Sequence, residues 1–258
     1  MKKLLSLLLV VSMLLCATFA LNSCGKDTPP EELTPERMVT LALEKTNALN
    51  SYAGKMDISM TLNMSGQTIL IAMYANMKVQ DAQNDNIKAQ TDLTMSMMGS
   101  TMTATSYSDK DWVYSVSADG NYKQRIEDED DQLAQMDSIM QTLPSEVYEG
   151  VEAVKNEDGS SSVTVAIPDN VFNETYAELL ETVKSSFSSQ NADVTIANAV
   201  VTVTVKNGLV AKYDITFDMT VSVAGTTGVV AVVASVEFTQ YEGVTVTLPT
   251  GCENFPER

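Results

Sequence analysis

From Lys55 onward, apolar and polar residues alternate with a period of two. This marks antiparallel strands with one wet and one dry face. Met56, Ile58, Met60, Leu62 and Met64 alternate with Asp57, Ser59, Thr61 and Asn63, and a Ser65-Gly66 turn leads into Ile69, Ile71, Met73, Ala75, Met77 and Val79. After a polar loop over 81–86, Ile87, Ala89, Leu93, Met95 and Met97 make a third run that Gly99 breaks. Weaker strands are expected at 101–107 and 112–116, and Asp119-Gly120 turns the chain into a short strand near Tyr122. Further on, 151–155 and 163–167 read as a hairpin through Asp158-Gly159. Val201, Val203 and Val205 run into Asn207-Gly208, a pair that favours a type I′ turn. The return strand carries Tyr213, Ile215, Phe217, Met219, Val221 and Val223 inward, and Gly225 to Gly228 turns again. Residues 229–234 are apolar on both faces, as expected of a central strand, and Val244, Val246 and Leu248 suggest a last short strand before Pro249. The tail from Thr250 reads as irregular.

Three segments carry the helical period instead. Thr34-Pro35-Glu36 is a helix start, with Met38, Leu41, Ala42, Leu49 and Tyr52 near one face, which predicts a helix from 35 to about 51. The acidic run 127–131 precedes Leu133, Met136, Met140 and Leu143, a second helix stopped by Pro144. Its acids suit a helix N-terminus, whereas a calcium loop would need a glycine and a terminal glutamate at set positions. Asp169-Asn170 caps a third helix bearing Phe172, Tyr176, Leu179, Leu180, Val183 and Phe187. Helix and long meander thus occur twice, a repeat of pattern without residue identity. The predicted fold class is α+β: a large antiparallel sheet of about ten strands, curled because a sheet this wide twists, with two to three amphipathic helices covering its concave face.

The N-terminus adds an address. Lys2-Lys3 and the apolar run 4–21 form the charged and hydrophobic regions of a signal peptide. Leu21-Asn22-Ser23-Cys24 resembles the lipobox of bacterial lipoproteins, with Leu at −3, small Ser at −1 and Cys at +1; Asn22 departs from the usual small residue at −2. The resemblance implies cleavage before Cys24 and lipid attachment to it. Cleavage after Ala20 would instead give a secreted protein, and an uncleaved anchor is a third reading, because eighteen residues approach the length of a span. Cys16, preceded by bulky Leu15, is a poor site. The expected organisation is a signal peptide over 1–23, a tether over 24–33 and a single domain over 34–258. Residues 25–33, with Pro29-Pro30, reach at most about 30 Å, holding the domain near the outer face of a bacterial cell membrane through N-terminal acyl chains.

Composition mostly excludes. Beyond the leader and Cys24 only Cys252 remains, so a monomer, the expected state, has no internal disulfide. Without any histidine, Ser-His-Asp and Cys-His catalysis are ruled out and a zinc site is disfavoured. No catalytic constellation, cofactor site or metal site is therefore predicted, and no enzyme. Loss of Lys2 and Lys3 with the leader leaves 14 basic residues against 34 acidic ones, a balance of −20 that disfavours nucleic acid and anionic headgroups. Of fifteen methionines, Met1 and Met13 lie in the leader; nine of the remaining thirteen fall between 56 and 102. All but Met98 and Met102 match the dry face. Methionine suits surfaces that accept varied apolar partners, although an apolar stripe is more commonly plain core. Cu(I) would need thioethers from neighbouring strands, since sulfurs four residues apart on one strand lie about 13 Å apart.

Lipobox, element order and the terminal segment ending at Pro249 together resemble the LolA and LppX/LprG-like group of bacterial lipoproteins, over roughly 34–249. The resemblance implies an unclosed barrel with a cavity for lipid or another apolar molecule between sheet and helices. Met56, Met60, Met73, Met95, Met97, Phe217 and Met219 are the candidate lining residues. A membrane-anchored binder of an apolar ligand is the expected function, and the alternative is an interaction lipoprotein with no cavity.

Overall fold

The computed structural model describes residues 33–64, 67–84, 86–118, 120–126, 143–175, 193–223 and 226–257. The expected signal peptide, Cys24 and all but Leu33 of the expected tether lie outside the described residues, as do the second expected helix up to residue 142 and most of the third.

Eleven strands form one antiparallel sheet. In chain order they are β1 (Ser51–Met64), β2 (Gln67–Gln80), β3 (Lys88–Met97), β4 (Ser100–Ser108), β5 (Trp112–Ser117), β6 (Gly120–Arg125), β7 (Ala153–Lys155), β8 (Ser161–Ile167), β9 (Asp193–Lys206), β10 (Leu209–Val223) and β11 (Thr226–Gln240). Their spatial order is β6-β5-β4-β3-β2-β1-β11-β10-β9-β8-β7, and the edges β6 and β7 do not pair, so the sheet is not closed. Two meanders, β1–β6 and β7–β11, are joined where the first strand pairs with the last. That seam brings backbones unusually close at Gly54, where a β-carbon would stand 2.9 Å from the Glu237 carbonyl oxygen, beside a register shift at Ala53/Gly54.

The alternating pattern sets the two faces. Cross-strand partners place Met56, Ile58, Met73, Met95, Ala234 and Val236 on one face and Asp57, Ser59, Tyr74, Thr94 and Ser235 on the other. The polar face is stitched by hydroxyls: Ser162 with Thr204 at 3.1 Å, Thr164 with Thr202 at 2.9 Å, and Thr105 donating to Asp92 at 2.9 Å. Asn207 and Gly208 both have positive φ, as the type I′ turn requires.

Helix α1 (Pro35–Asn47) starts where expected, with Thr34 Oγ1 accepting from Arg37 N at 3.2 Å. It ends earlier than the periodicity suggested. Leu49 and Tyr52 are not helical; Tyr52 is buried on β1 against Phe238. The buried face is Val39, Ala42 and Thr46, packed on β9 and β10. A second helix, α2 (Asp169–Thr175), is described for two turns and packs on β9. Asp169 does not cap it: its carboxylate accepts from Asn198 N at 3.0 Å, across to β9. Of the two to three helices expected, one of any length is therefore found among the described residues.

Side chains finish ladders where strands run out. Backbone groups of a buried edge need partners. Beyond the β8–β9 pairing, Asn173 of α2 donates to Ile196 O at 3.0 Å and accepts from Ile196 N at 3.4 Å. Beyond the β10–β11 pairing, Val210 N donates to Thr46 Oγ1 at 2.9 Å and Val210 O accepts from Tyr241 Oη at 3.1 Å. The expected strand at Val244, Val246 and Leu248 is absent for the same kind of reason. Val244 N donates to Ser51 Oγ at 3.3 Å and Val246 N to Gln80 Oε1 at 2.8 Å, so side chains rather than a ladder hold this alternating segment. The tail continues as a strap. A short 3₁₀ turn (Cys252–Asn254) buries Cys252, Phe255 packs edge-on against Tyr114, and Lys123 N of the edge strand β6 donates to Pro256 O at 2.9 Å. An edge covered this way is closed to pairing with another chain.

Candidate functional site: the apolar face of the sheet

The apolar face divides into two packed regions. One lies under the helices: Val163, Val165, Ile167, Val201 and Val203 meet Val39, Ala42 and Phe172, with Phe172 and Phe217 rings 6.0 Å apart. The other is methionine-rich: Met56, Ile58, Met73, Ala75, Met77, Met95, Ala234 and Val236, with Met60, Ile71, Leu93, Ile215 and Phe238 at its margin.

Burial is graded along the strands of the apolar face. Toward the end where β1 begins, Met56 is 0% exposed and Met73 2%. Toward the opposite end, which carries the β1–β2, β3–β4 and β10–β11 hairpins, Met60, Leu62, Ile69, Ile71, Met97, Met219 and Val230 are only half-buried. All belong to the same apolar face by register. The sheet therefore extends a dry face further than the described packing fills.

The seven candidate lining residues fall into three groups. Met56, Met73 and Met95 are core, with Met60 at the margin of that core. Phe217 and Met219 belong to the helix-packed region. Met97 stands at the hairpin end, where it helps line an open depression of about 520 Å³ with Gln67, Thr68, Ile69, Leu70, Ala72, Ser96, Met98 and Gly99; by register Thr68, Leu70, Ala72 and Ser96 belong to the polar face, so this depression lies largely outside the dry face. Met102 faces the same way as Met95 but is 48% exposed, and Met98 sits in the β3–β4 turn, 76% exposed. Sequence reasoning singled out methionine and so missed Ile69, Ile71 and Val230, although the alternation that placed Met73 places them as well.

Register sets Met73, Met95 and Met102 side by side on β2, β3 and β4. Among the described residues no group of three His, Cys, Asp or Glu could hold a metal.

Among the described residues, several titratable groups have shifted ionisation with a local cause. Burial holds the Tyr52 hydroxyl well above the usual tyrosine range. Burial also raises Tyr114, assisted by its hydrogen bond to Asp109 at 2.9 Å. Asp158 is held well below the usual carboxylate range by hydrogen bonds from Ser160 and then Lys206, whose Nζ lies 2.9 Å away. Hydrogen bonds from Gln80 and Asn50 lower Asp81. Burial accounts for the two tyrosines, and local hydrogen bonds in turns account for the two carboxylates. Cys252 is a free thiol buried under the strap. Lys123 lies 4.4 Å over the Trp112 ring and donates to Glu253 O at 2.8 Å, which holds the strap down.

Comparison with known proteins gives a family and distant likenesses. Residues 34–252 match the family described as "Family of unknown function (DUF6612)". No curated protein matches the chain. Among solved structures, LprF from Mycobacterium bovis, of the LppX/LprG-like lipoproteins, is similar at 10% identity over 84% of this chain and 97% of that one, with a TM-score of 0.40. Lipovitellin, in a structure described by its lipid–protein interactions, is similar at 7% identity over 78% of this chain and 26% of that one, with a TM-score of 0.34.

Proposed function

The chain belongs to this family of unknown function, and we propose that it is an extracytoplasmic lipoprotein whose curled sheet binds a lipid or another apolar molecule. In this reading Cys24 is the anchored residue, the domain stands at the outer face of the cell membrane, and the ligand lies between sheet and helices. The protein binds and presents its ligand without transforming it.

The graded burial of the apolar face supports the reading. A sheet that served only as a scaffold would gain from packing Met60, Ile71, Met97, Met219 and Val230 as tightly as Met56 and Met73. Each fully buried aliphatic side chain of this size contributes roughly 1.5–3 kcal/mol. Leaving a contiguous set half-packed forgoes several times that amount, which a bound acyl chain would recover. Methionine at several of these positions lets the surface refit to chains of different length and saturation.

Native mass spectrometry of the processed lipoprotein, purified from cells in mild detergent, tests the proposal. A mass excess that yields lipid or another apolar compound on dissociation is the expected outcome. Protein that carries only its own covalent acyl chains, and whose melting temperature is unmoved by added phospholipid or fatty acid, would point to the interaction-lipoprotein alternative.

A further inference from the structure

The half-buried part of the apolar face has a shape. Register lays it out in rows that run across the strands. Phe217, Val232, Met60, Ile71 and Met97 stand opposite one another on β10, β11, β1, β2 and β3. Two residues nearer the hairpin turns, Met219, Val230, Leu62 and Ile69 make the next row on β10, β11, β1 and β2. All of these but Val232 are half-buried. The row on the other side, Ala234, Ile58, Met73 and Met95, is at most 6% exposed.

Rows two residues apart stand about 7 Å from one another along each strand, and neighbouring strands about 4.8 Å apart. The pleat thus leaves a shallow channel between the two half-buried rows, directed across the strands. A chain laid along the strands would meet the filled row at Ile58 and Met73 after about 7 Å. Laid across them it runs from β10 to β3, four strand spacings or about 19 Å, over apolar side chains throughout.

The two ends of the channel differ. On the β10 side it stops at β9. Ile196, the partner of Met219, is 5% exposed, its backbone is held by Asn173 of α2, and Phe172 of α2 packs against Phe217 at 6.0 Å. On the β3 side it opens. Met97 leads into a turn where Met98 is 76% exposed, and Ser100, opposite Met97 on β4, is exposed as well. A β-carbon at Gly99 would meet no heavy atom within 4 Å. Methionine stands at both limits, Met219 and Met97, and at the centre, Met60, so the walls adjust to the chain they hold.

We propose that this channel takes one extended hydrocarbon chain across the strands, its methyl end beside Phe217 and Met219 and its polar end leaving past Met97. At about 1.3 Å per carbon, the projection of a C–C bond of about 1.5 Å, the span admits about 15 carbons. A single channel between two rows seats a single chain. The ligand class is therefore a single-chain amphiphile, a long-chain fatty acid or a monoacyl lipid, and Met219 sets its length. This rests on the ligand reading proposed above and adds the number, direction and length of the chain.

The processed lipoprotein is held in a fluorinated surfactant, which does not mix with hydrocarbon. It is offered equimolar mixtures of saturated fatty acids of about 8 to about 20 carbons, a range that brackets the channel, or of lysophosphatidylcholines with the same chains. Native mass spectrometry reads the occupancy of each length. Binding should tighten about two- to fourfold per carbon and level off near 15 carbons. Whichever series shows the plateau identifies the polar end. Met219→Trp fills about one strand spacing of the closed end and should move the plateau down by about four carbons; Met219→Phe, the smaller change, should move it by fewer. Met97→Trp narrows the mouth and should weaken every length by a similar factor. Met73→Ala opens space in line with the strands and should leave the plateau in place. An affinity that rises to the longest chain, tighter binding of a two-chain phospholipid, or a plateau moved by Met73→Ala and by neither Met219 variant overturns the proposal and leaves the ligand reading standing. No chain bound at any length removes both. Chain-free protein of doubled mass, returned to single mass by Met60→Trp, also overturns the proposal and gives the channel to a second copy of the chain.

Discussion

If the hairpin end of the apolar face receives a ligand, methionines along that face should respond to truncation and enlargement in opposite ways according to depth. Met73 is 2% exposed and surrounded by Ile58, Ala75, Met95 and Ala234. Met73→Ala removes three heavy atoms from a filled site, losing both transfer free energy and cavity contacts, about 2–5 kcal/mol. At roughly 2–4 °C per kcal/mol for a domain of this size, the melting temperature should fall on the order of 10 °C. Met97 and Met219 are half-buried, so Met→Ala there forfeits about half of the 1.5–3 kcal/mol that a full burial supplies and opens no new closed void, a drop of only a few degrees. Enlargement reverses the order of interest. Met73→Trp overpacks and destabilises by about 1–3 kcal/mol or more, while Met97→Trp and Met219→Trp fold and occupy the space a ligand would take. The assay pairs circular dichroism melts with displacement of an apolar fluorophore such as a naphthalene sulfonate. The expected result is near-normal melting with lost fluorophore binding for the two hairpin-end tryptophan variants. If Met97→Ala and Met219→Ala fall as far as Met73→Ala and both tryptophan variants unfold, the whole face is close-packed core and the ligand argument fails.

Thr46→Val keeps shape but leaves Val210 N without its acceptor in a buried site; it should lose about 1–3 kcal/mol, measured by urea unfolding, whereas Thr46→Ser, which retains the hydroxyl, should lose clearly less. Cys24→Ala should abolish acylation and leave either precursor or released protein in a membrane fractionation; normal anchoring with a mature terminus at residue 24 would contradict the lipobox reading. The folded-state carboxyl of Asp158 titrates below its unfolded value, so its contribution is present above about pH 4 and is lost as pH falls through the lower folded value. Wild type should therefore lose slightly more stability than Asp158→Asn in melts taken from neutral pH down into that acid range, and parallel curves would show that the turn does not depend on the charge.

Much of this architecture was legible in the chain because alternation with period two is a direct consequence of the pleat. It assigned inner and outer faces from Met56 to Val79 and from Tyr213 to Val221, and Asn207-Gly208 announced its turn through the positive φ both positions adopt. Local signals failed where a terminus was decided from outside the segment. The periodicity of α1 ran on through Leu49 and Tyr52, yet the chain leaves the helix after Asn47 because Tyr52 is drawn into the sheet against Phe238. Val244 and Val246 alternate like a strand, yet Ser51 and Gln80, far away in sequence, take their N–H groups.

Alternation also fixes only which face is dry, not how fully it is covered. That depends on which strands become neighbours and what lies over them. Pairing of β1 with β11 joins ends of the chain some 180 residues apart and gathers three uncharged hairpins, dispersed in the sequence, at one end of the sheet. Each uncharged stretch is visible in the sequence as a row of Thr, Ser, Met and Val, but a row has no direction in space. Antiparallel order supplies that direction, because it sends every second turn to the same end, and so the gathering of three uncharged hairpins there, beside Asp193 at the start of β9, is decided by the tertiary structure alone.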